Sequence, residues 1–247
     1  MKKPFLIFAL IFSCQLINAQ TSTAIDTVHE QLHGLKKYHG YAAGMTPKHL
    51  MLIGGRVGGQ QEDLHIDGVV QDKIIIKDWK TNQMISASLS VYPEPISIAL
   101  RSVHMQYYQD GNVLYIIGGF GHWDKCNCQT TIPSLLVMDV EKTIDAITHA
   151  KNPSPFIRQL TDDRLAVMEG FLEKSGDTFF LLEGRSAYRL ETLENDAFFF
   201  ISEYDNQVRS FKIRDDGKVL TLEAFETWTD LEAFFDKFAD QLRGTYL

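Results

Sequence analysis

The sequence lacks the excess of basic residues that is typical of proteins that bind nucleic acid or acidic membranes. It has 24 Lys and Arg against 32 Asp and Glu, which gives a formal net charge of −8 at pH 7. A chain of this charge is repelled by phosphate backbones and by anionic lipid surfaces. We therefore expect no nucleic-acid partner.

Cysteine is also scarce, with three residues in a chain of 247. Cys126 and Cys128 are separated by one residue, and a bridge between them would close a very small ring. Two cysteines are too few for a disulfide framework. Zinc-binding cysteines are usually spaced more widely, so we predict no metal and no other cofactor. The alternative to a metal site is a pair of exported thiols that is oxidised or that pairs between chains.

Sequence motifs of common enzymes are missing as well. The chain has no glycine-rich phosphate loop, no nucleophile elbow, no H-E-x-x-H pattern and no EF-hand loop. We therefore predict no catalytic residue and favour a protein that is not an enzyme. Hydrophobic residues make up 45% of the chain and aromatic residues 11%, which suits a globular protein rich in strands.

Residues 1–19 have the order of a secretory signal peptide. Lys2 and Lys3 precede the apolar run Phe5–Phe12, and Ala19 offers a small residue for cleavage before Gln20. The run is too short to cross a bilayer, and no other segment approaches that length, so we predict no transmembrane segment. The expected location is secreted or periplasmic.

Lipidation is a second interpretation of the same segment. Residues 11–14, Ile-Phe-Ser-Cys, resemble a weak lipobox, which would make Cys14 a lipidated N-terminus. Phe12 fits a lipobox poorly, so soluble export is the favoured interpretation.

Three segments of the remaining chain repeat at nearly equal spacing. Each is an apolar strand that ends at glycine, and the segments are His49–Gly55, Val113–Gly119 and Thr178–Gly184. A turn signal and a shorter strand precede each segment, and a variable loop and another strand follow it. The unit is a four-stranded antiparallel meander, which is the shape of one propeller blade.

The glycine pairs carry a resemblance to a known family. Leu52–Gly55 and Leu114–Gly119, with the later aromatic Trp79, resemble kelch repeats, and the chain is similar to secreted kelch-like proteins of Bacteroidetes. In the third unit Glu183 replaces the first glycine. The resemblance implies an all-β, kelch-like β-propeller or partial propeller over residues 20–228, with about three to four four-stranded blades. A fourth blade would begin near 198–203, and a truncated ring is an alternative.

Residues 229–247 depart from the strand pattern. Thr229–Glu232 resembles a capping box, and five apolar residues follow at helical spacing: Leu231, Phe234, Phe235, Phe238 and Leu242. We predict a C-terminal amphipathic helix that covers the open edge of the last sheet or forms a dimer contact. A second helix is expected over Val140–Ala150, before Pro153.

Four residues are candidates for ligand binding. Arg56 and Arg185 follow the glycines of the first and third repeats, so stacked blades would place them at equivalent positions, where they would bind a carboxylate or an acidic sugar. His122 and Trp123 lie in the most reactive-looking loop of the chain. A salt bridge between Arg185 and Glu183 is the alternative role for that arginine.

The leading function is therefore an exported module that binds a protein or a carbohydrate, with a homodimer as a further expectation. The fold is nearly silent about function. A small sugar-handling enzyme is the alternative that the resemblance implies, because some exported kelch propellers isomerise sialic acids. His104 and the pair Glu203 and Asp205 are weak catalytic candidates with simpler structural roles. A remnant of a longer kelch protein is the third interpretation.

Overall fold

The structure is a computed structural model that describes residues 35, 37–58, 69–191 and 198–243. Contacts divide the chain into two compact units, Met1–Lys36 and Lys37–Leu247. Of the first unit only Leu35 is described, and everything below concerns the second. The predicted signal peptide and the alternative lipid site at Cys14 lie outside the described residues.

The second unit consists of short strands with three α-helices. The strands are β1 (Tyr38–His39), β2 (Ala42–Met45), β3 (His49–Ile53), β4 (Arg56–Val57), β5 (Val69–Val70), β6 (Lys73–Asp78), β7 (Met84–Ser88), β8 (Gln106–Asp110), β9 (Val113–Ile117), β10 (Phe120–Trp123), β11 (Cys128–Thr131), β12 (Ser134–Asp139), β13 (Ile157–Thr161), β14 (Phe171–Ser175), β15 (Thr178–Leu182), β16 (Arg185–Glu191), β17 (Phe198–Tyr204), β18 (Val208–Asp215) and β19 (Leu220–Trp228). The helices are α1 (Glu94–Leu100), α2 (Val140–Thr148) and α3 (Leu231–Arg243).

These strands form a β-propeller arrangement of five antiparallel sheets, four with four strands and one with three. Three repeat sheets follow the sequence repeats: the first is β2-β3-β6-β7, the middle β13-β12-β9-β8 and the last β14-β15-β18-β19. Two hairpin sheets complete the fold, a small one of order β1-β4-β5 and a large one of order β10-β11-β16-β17. The expectation of three to four blades is therefore wrong.

The extra sheets come from a hairpin inserted between the second and third strands of each repeat sheet. These hairpins are β4–β5, β10–β11 and β16–β17. The first two have strands of two to four residues, which carry too little alternation to be distinguished from a variable loop. The segment expected to start a fourth blade is β17, and it pairs with β16 instead.

The glycine pairs allow backbone of one repeat to lie against backbone of the next. A Cβ added at Gly54 would lie 2.5 Å from the carbonyl oxygen of Leu100, and one at Gly118 would lie 2.0 Å from that of Val167. Both glycines also have positive φ, +63° and +64°, which side chains disfavour. Only glycine fits at these two places.

The second glycine of each pair makes the contact between repeats directly. Gly55 N donates to Ser102 O at 3.1 Å, and Gly119 N donates to Val167 O at 2.8 Å. At the third repeat, Glu183 stands where the first two have glycine, and it is exposed. No loop of a following repeat packs against it within the described residues, so a side chain is accommodated there.

A second series of backbone hydrogen bonds joins all three repeats. His104 N donates to Gly40 O at 2.7 Å, and Glu169 N donates to His104 O at 3.1 Å. All three residues have left-handed backbones, with φ of 64°, 57° and 59°. We call Gly40, His104 and Glu169 the inter-repeat ladder. It fixes the backbone where each repeat begins.

Two apolar cores lie on opposite faces of the middle repeat sheet. Ile116 and Leu136 pack with residues of the first repeat sheet, such as Ile53, whereas their neighbours Ile117 and Val137 pack with the last. Successive residues of a strand point to opposite faces. Because both faces are covered, the strands have the continuous apolar runs seen in the sequence.

Helix α3 packs against the outer side of the last repeat sheet. Phe234 and Phe238 lie in edge-to-face contact with Phe180, with ring centroids 5.7 and 5.1 Å apart. The N-terminal cap differs from the expected capping box, because the carboxylate of Asp230 accepts from Glu232 N at 3.0 Å. Phe235, which was expected on the apolar face, is 42% exposed.

Replacing Gly118 with alanine tests the contact between repeats. Gly111 is the matched control, since its φ is also positive, +55°, but nothing lies within 4 Å of an added Cβ. We expect Gly111→Ala to cost roughly 1–2 kcal/mol for the left-handed backbone. Gly118→Ala should cost a further ~1–3 kcal/mol for overpacking. Urea unfolding measures both, and equal losses would contradict the contact.

Candidate functional site

The inserted hairpins begin at equivalent positions beside the ladder. Arg56, Phe120 and Arg185 are the first residues of β4, β10 and β16. Each pairs with the residue before a ladder residue: Arg56 with His39, Phe120 with Val103 and Arg185 with Met168. The equivalence of Arg56 and Arg185 that the repeat spacing predicts is therefore seen in the backbone pairing.

A cleft of about 280 Å³ lies between the two hairpin sheets and helix α1. Its polar lining contains three arginines, two carboxylates, a histidine and an amide: Arg56, Arg101, Arg189, Glu94, Asp124, His122 and Gln129. Its apolar lining consists of Val70, Ile98, Val103 and Phe120. The lining therefore combines cationic and apolar side chains, which suits a small anion with a hydrophobic face.

Arg56 is the most buried charge of the cleft, with 6% of its surface exposed. Its Nε is buried and has no hydrogen-bond partner in the described part of the chain. Burial lowers the pKa of this guanidinium below its ordinary value. A buried donor without an acceptor is costly, so a ligand oxygen at this place would be stabilised.

Arg101 also lines the cleft and lies at the C-terminal end of α1. Its backbone N–H closes the helix on Ser97 O at 3.1 Å, and its side chain is exposed. Glu94, in the first turn of the same short helix, brings a carboxylate to the same cleft. Arg101 thus supplies an exposed cation to the cleft, whereas Arg56 supplies a buried one.

The β10–β11 hairpin supplies the third side. His122 Nε2 lies 3.2 Å from Asp124 Oδ1, and both side chains are about half exposed. Gln129 lies on β11, directly opposite Arg189 of β16 in the large hairpin sheet. The carboxylate of Asp124 thus already has His122 as a partner within the hairpin.

A separate cluster surrounds the inter-repeat ladder. Glu169 Oε2 lies 2.5 Å from a terminal nitrogen of Arg185, and Glu169 Oε1 lies 3.6 Å from His104 Nδ1. The guanidinium of Arg185 also lies over the ring of Tyr204, 5.5 Å from its centroid. Arg185 is therefore already neutralised by Glu169, and not by Glu183 as the sequence alternative suggested.

Burial is the main cause that lowers the pKa of His104. The facing charge of Glu169 acts in the opposite direction. Three cationic neighbours add to the lowering, namely Arg56, His39 and Arg185. The fold therefore favours the neutral imidazole at this position.

The four predicted ligand-binding residues separate into three places. Arg56 and His122 line the cleft, Arg185 belongs to the ladder cluster, and Trp123 packs partly buried against the first core. Sequence reasoning missed Arg101, since the short helix α1 was not predicted. Ligand binding by any of them stays a prediction.

The two cysteines are joined to each other. Cys126 and Cys128 form a disulfide with a Cα–Cα separation of 5.1 Å, an ordinary span for such a bridge. A turn through Asn127, with φ of 49°, provides that span. No cluster of three or more metal-ligating side chains occurs in the described ranges.

Comparisons with known proteins give no family assignment. No protein-family model matches the chain, and no curated protein matches it. Among the described helices, none is long and apolar enough to cross a membrane. The fold and the chemistry of the cleft are therefore the basis for any statement about function.

The pKa of His104 predicts a dependence of stability on pH. An unfolded histidine titrates near pH 6.5. Because the fold lowers the pKa of His104, the contribution of this histidine to the free energy of unfolding is fully present above about pH 6.5 and is lost as the pH falls below it. Between about pH 7 and 5.5, the wild type should therefore lose more stability than His104→Asn, in which asparagine tolerates the left-handed backbone.

Urea unfolding of both proteins at several pH values measures this difference. The other histidines titrate in both proteins, so they cancel in the comparison. Parallel pH profiles would show that His104 is protonated as easily in the fold as in the unfolded chain.

Proposed function

We propose that this chain is a binding module whose cleft takes a ligand that bears a carboxylate, such as an acidic sugar of a glycan. The convergence of three arginines on one cleft carries the proposal, with Arg56 buried and its Nε without a hydrogen-bond partner in the described ranges. The propeller fold is compatible with such a module.

The charges of the cleft favour an anion. Arg56, Arg101 and Arg189 line it against two carboxylates, and the carboxylate of Asp124 lies beside His122. A guanidinium presents donors in a planar fork that matches a carboxylate. The chain as a whole has a net charge of −8, so a cationic cleft is a local exception that would attract acidic ligands in preference to neutral ones.

The size of the cleft favours a single small group. About 280 Å³ lies at the lower limit of ligand pockets, which are commonly about 300–1,000 Å³. The side chains of Val70, which is 42% exposed, and of Ile98 offer an apolar surface against which one face of a sugar ring would pack. A uronic-acid unit within a longer glycan meets both requirements.

We also propose that the propeller is of the kelch type and that the chain is exported. The two glycine pairs and their contacts with the next repeat support the first statement. Lys2, Lys3 and the apolar run Phe5–Phe12 support the second. The Cys126–Cys128 disulfide adds support, since disulfides persist in oxidising compartments. The expected homodimer stays a prediction.

A sugar isomerase is a second candidate function, favoured by one observation. His104 and Glu169 lie 3.6 Å apart beside Arg185, which is a pair able to hold and move a proton. Exchange spectroscopy of the anomers of N-acetylneuraminate separates the two functions. The binding proposal predicts an unchanged exchange rate, and an accelerated rate that His104→Asn abolishes would support the isomerase.

Replacing Arg101 with glutamine tests the ligand class. We expect galacturonate to bind to the wild type and galactose to bind much more weakly. Arg101→Gln should weaken galacturonate by about tenfold or more, because a hydrogen bond to a charged group contributes about 1.5–3 kcal/mol. Titration calorimetry measures the affinities.

Arg214→Gln is the matched control. This arginine is 69% exposed, pairs with Glu223 at 2.9 Å and lies outside the cleft, so its loss should leave affinity unchanged. Equal binding of galactose, or an equal loss in both variants, would reject the cleft as an anion site.

N-terminal sequencing of the protein recovered from the periplasm or the medium tests export. The expected first residue is Gln20, because the proposed cleavage follows Ala19. A chain that still begins at Met1, or one that begins at a blocked and lipidated Cys14, would refute cleavage at that position.

A further inference from the structure

We propose that the Cys126–Cys128 disulfide is a thiol–disulfide exchange site that accepts two electrons from a dithiol at the protein surface. This goes beyond ligand binding in the cleft and does not depend on it. The proposal rests on the position of the disulfide in its hairpin, on its accessibility and on the groups around it.

The disulfide adds little to what already holds the hairpin. Four residue pairs join β10 to β11, ending at Trp123 and Cys128, and β11 pairs further with β16. Backbone hydrogen bonds close the turn, from Cys126 N to Trp123 O at 3.2 Å and from Asn127 N to Asp124 O at 3.1 Å. Reduction would therefore leave the hairpin in place.

The size of the ring leads to the same conclusion. A disulfide stabilises a fold mainly by restricting the unfolded chain, and the effect increases with the length of the loop that it closes. Here a single residue, Asn127, lies between the cysteines. A bridge of such short range contributes little to the fold, so its role is better sought in its chemistry.

The disulfide can be reached by a thiol in solution. Cys126 is exposed, whereas Cys128 is half-buried. The adjacent Lys125 is exposed too, and its ammonium lies over the Trp123 ring, 5.6 Å from the centroid. A neighbouring cation stabilises thiolates, both in an attacking group and in the group that leaves. Exposure makes Cys126 Sγ the sulfur that is attacked.

The exchange balances in two steps. A thiolate of the dithiol attacks Cys126 Sγ, which forms a mixed disulfide and releases Cys128 as a thiolate. The second thiolate of the dithiol then attacks the sulfur of the same dithiol that is bonded to Cys126. This closes the dithiol's disulfide and releases Cys126 as a thiolate. The dithiol is oxidised to a disulfide, and its two protons end on Cys126 and Cys128.

The reduced form has a hydrogen-bond acceptor in place. Cys126 Sγ lies 3.3 Å from the carbonyl oxygen of Trp123, within reach of a thiol donor. A thiol at Cys126 would therefore be held where the sulfur already stands. Both redox states fit the same backbone, as a reversible site requires.

Reduction of the native protein tests the proposal. The oxidised full chain is treated with millimolar dithiothreitol without denaturant, trapped with iodoacetamide and digested with trypsin. We expect two carbamidomethyl groups on the peptide that begins at Cys126, with an unchanged circular dichroism spectrum. Alkylation that requires prior denaturation, or a fold that melts on reduction, would overturn the proposal.

Single-cysteine variants test the site of attack. With glutathione disulfide as the probe, Cys128→Ser leaves Cys126 as the only hairpin thiol, and Cys126→Ser leaves Cys128. We expect Cys126 to form the mixed disulfide several-fold faster, because it is exposed. Equal or reversed rates would show that Cys126 is not the accessible sulfur. Neither measurement involves galacturonate, so failure here leaves the cleft untouched, and failure of the cleft leaves the exchange site.

Discussion

Close approach of backbone between successive repeats is the constraint on which the rest of the structure depends. His104 N reaches Gly40 O, and Glu169 N reaches His104 O, at 2.7 and 3.1 Å. This spacing leaves no room for a side chain at Gly54 or Gly118. Gly40, His104 and Glu169 therefore all have a left-handed backbone conformation. His104 and Glu169 adopt it although this conformation is unfavourable for residues that carry a side chain.

The same approach determines where the chemistry lies. Two residues separate each inserted hairpin from the strand before it, and the hairpin begins beside a ladder residue, so Arg56 and Arg185 occupy equivalent positions in different surroundings. Arg185 meets Glu169 and is neutralised, whereas Arg56 lines the cleft and its Nε has no hydrogen-bond partner among the described residues. One repeated position thus has a structural role in one repeat and an available donor in another.

Sequence reasoning predicted the features that recur and missed those that do not. The period of the strand-ending glycines indicated the propeller, and the position after them indicated Arg56 and Arg185. The first two hairpins were missed because their strands have only two to four residues. Arg101 was missed because α1 is a seven-residue helix that the repeat pattern does not contain. Its place in the cleft depends on tertiary packing, which periodicity does not encode.

We propose Arg56 as a binding group because its buried Nε has no acceptor among the described residues. The most direct measurement is a crystal structure of the protein grown with galacturonate. We expect the carboxylate in the cleft, with an oxygen within hydrogen-bond distance of Arg56 Nε and a second oxygen facing Arg101. A carboxylate bound elsewhere, or an empty cleft in which a residue of the chain itself fills the acceptor position on Arg56, would contradict it.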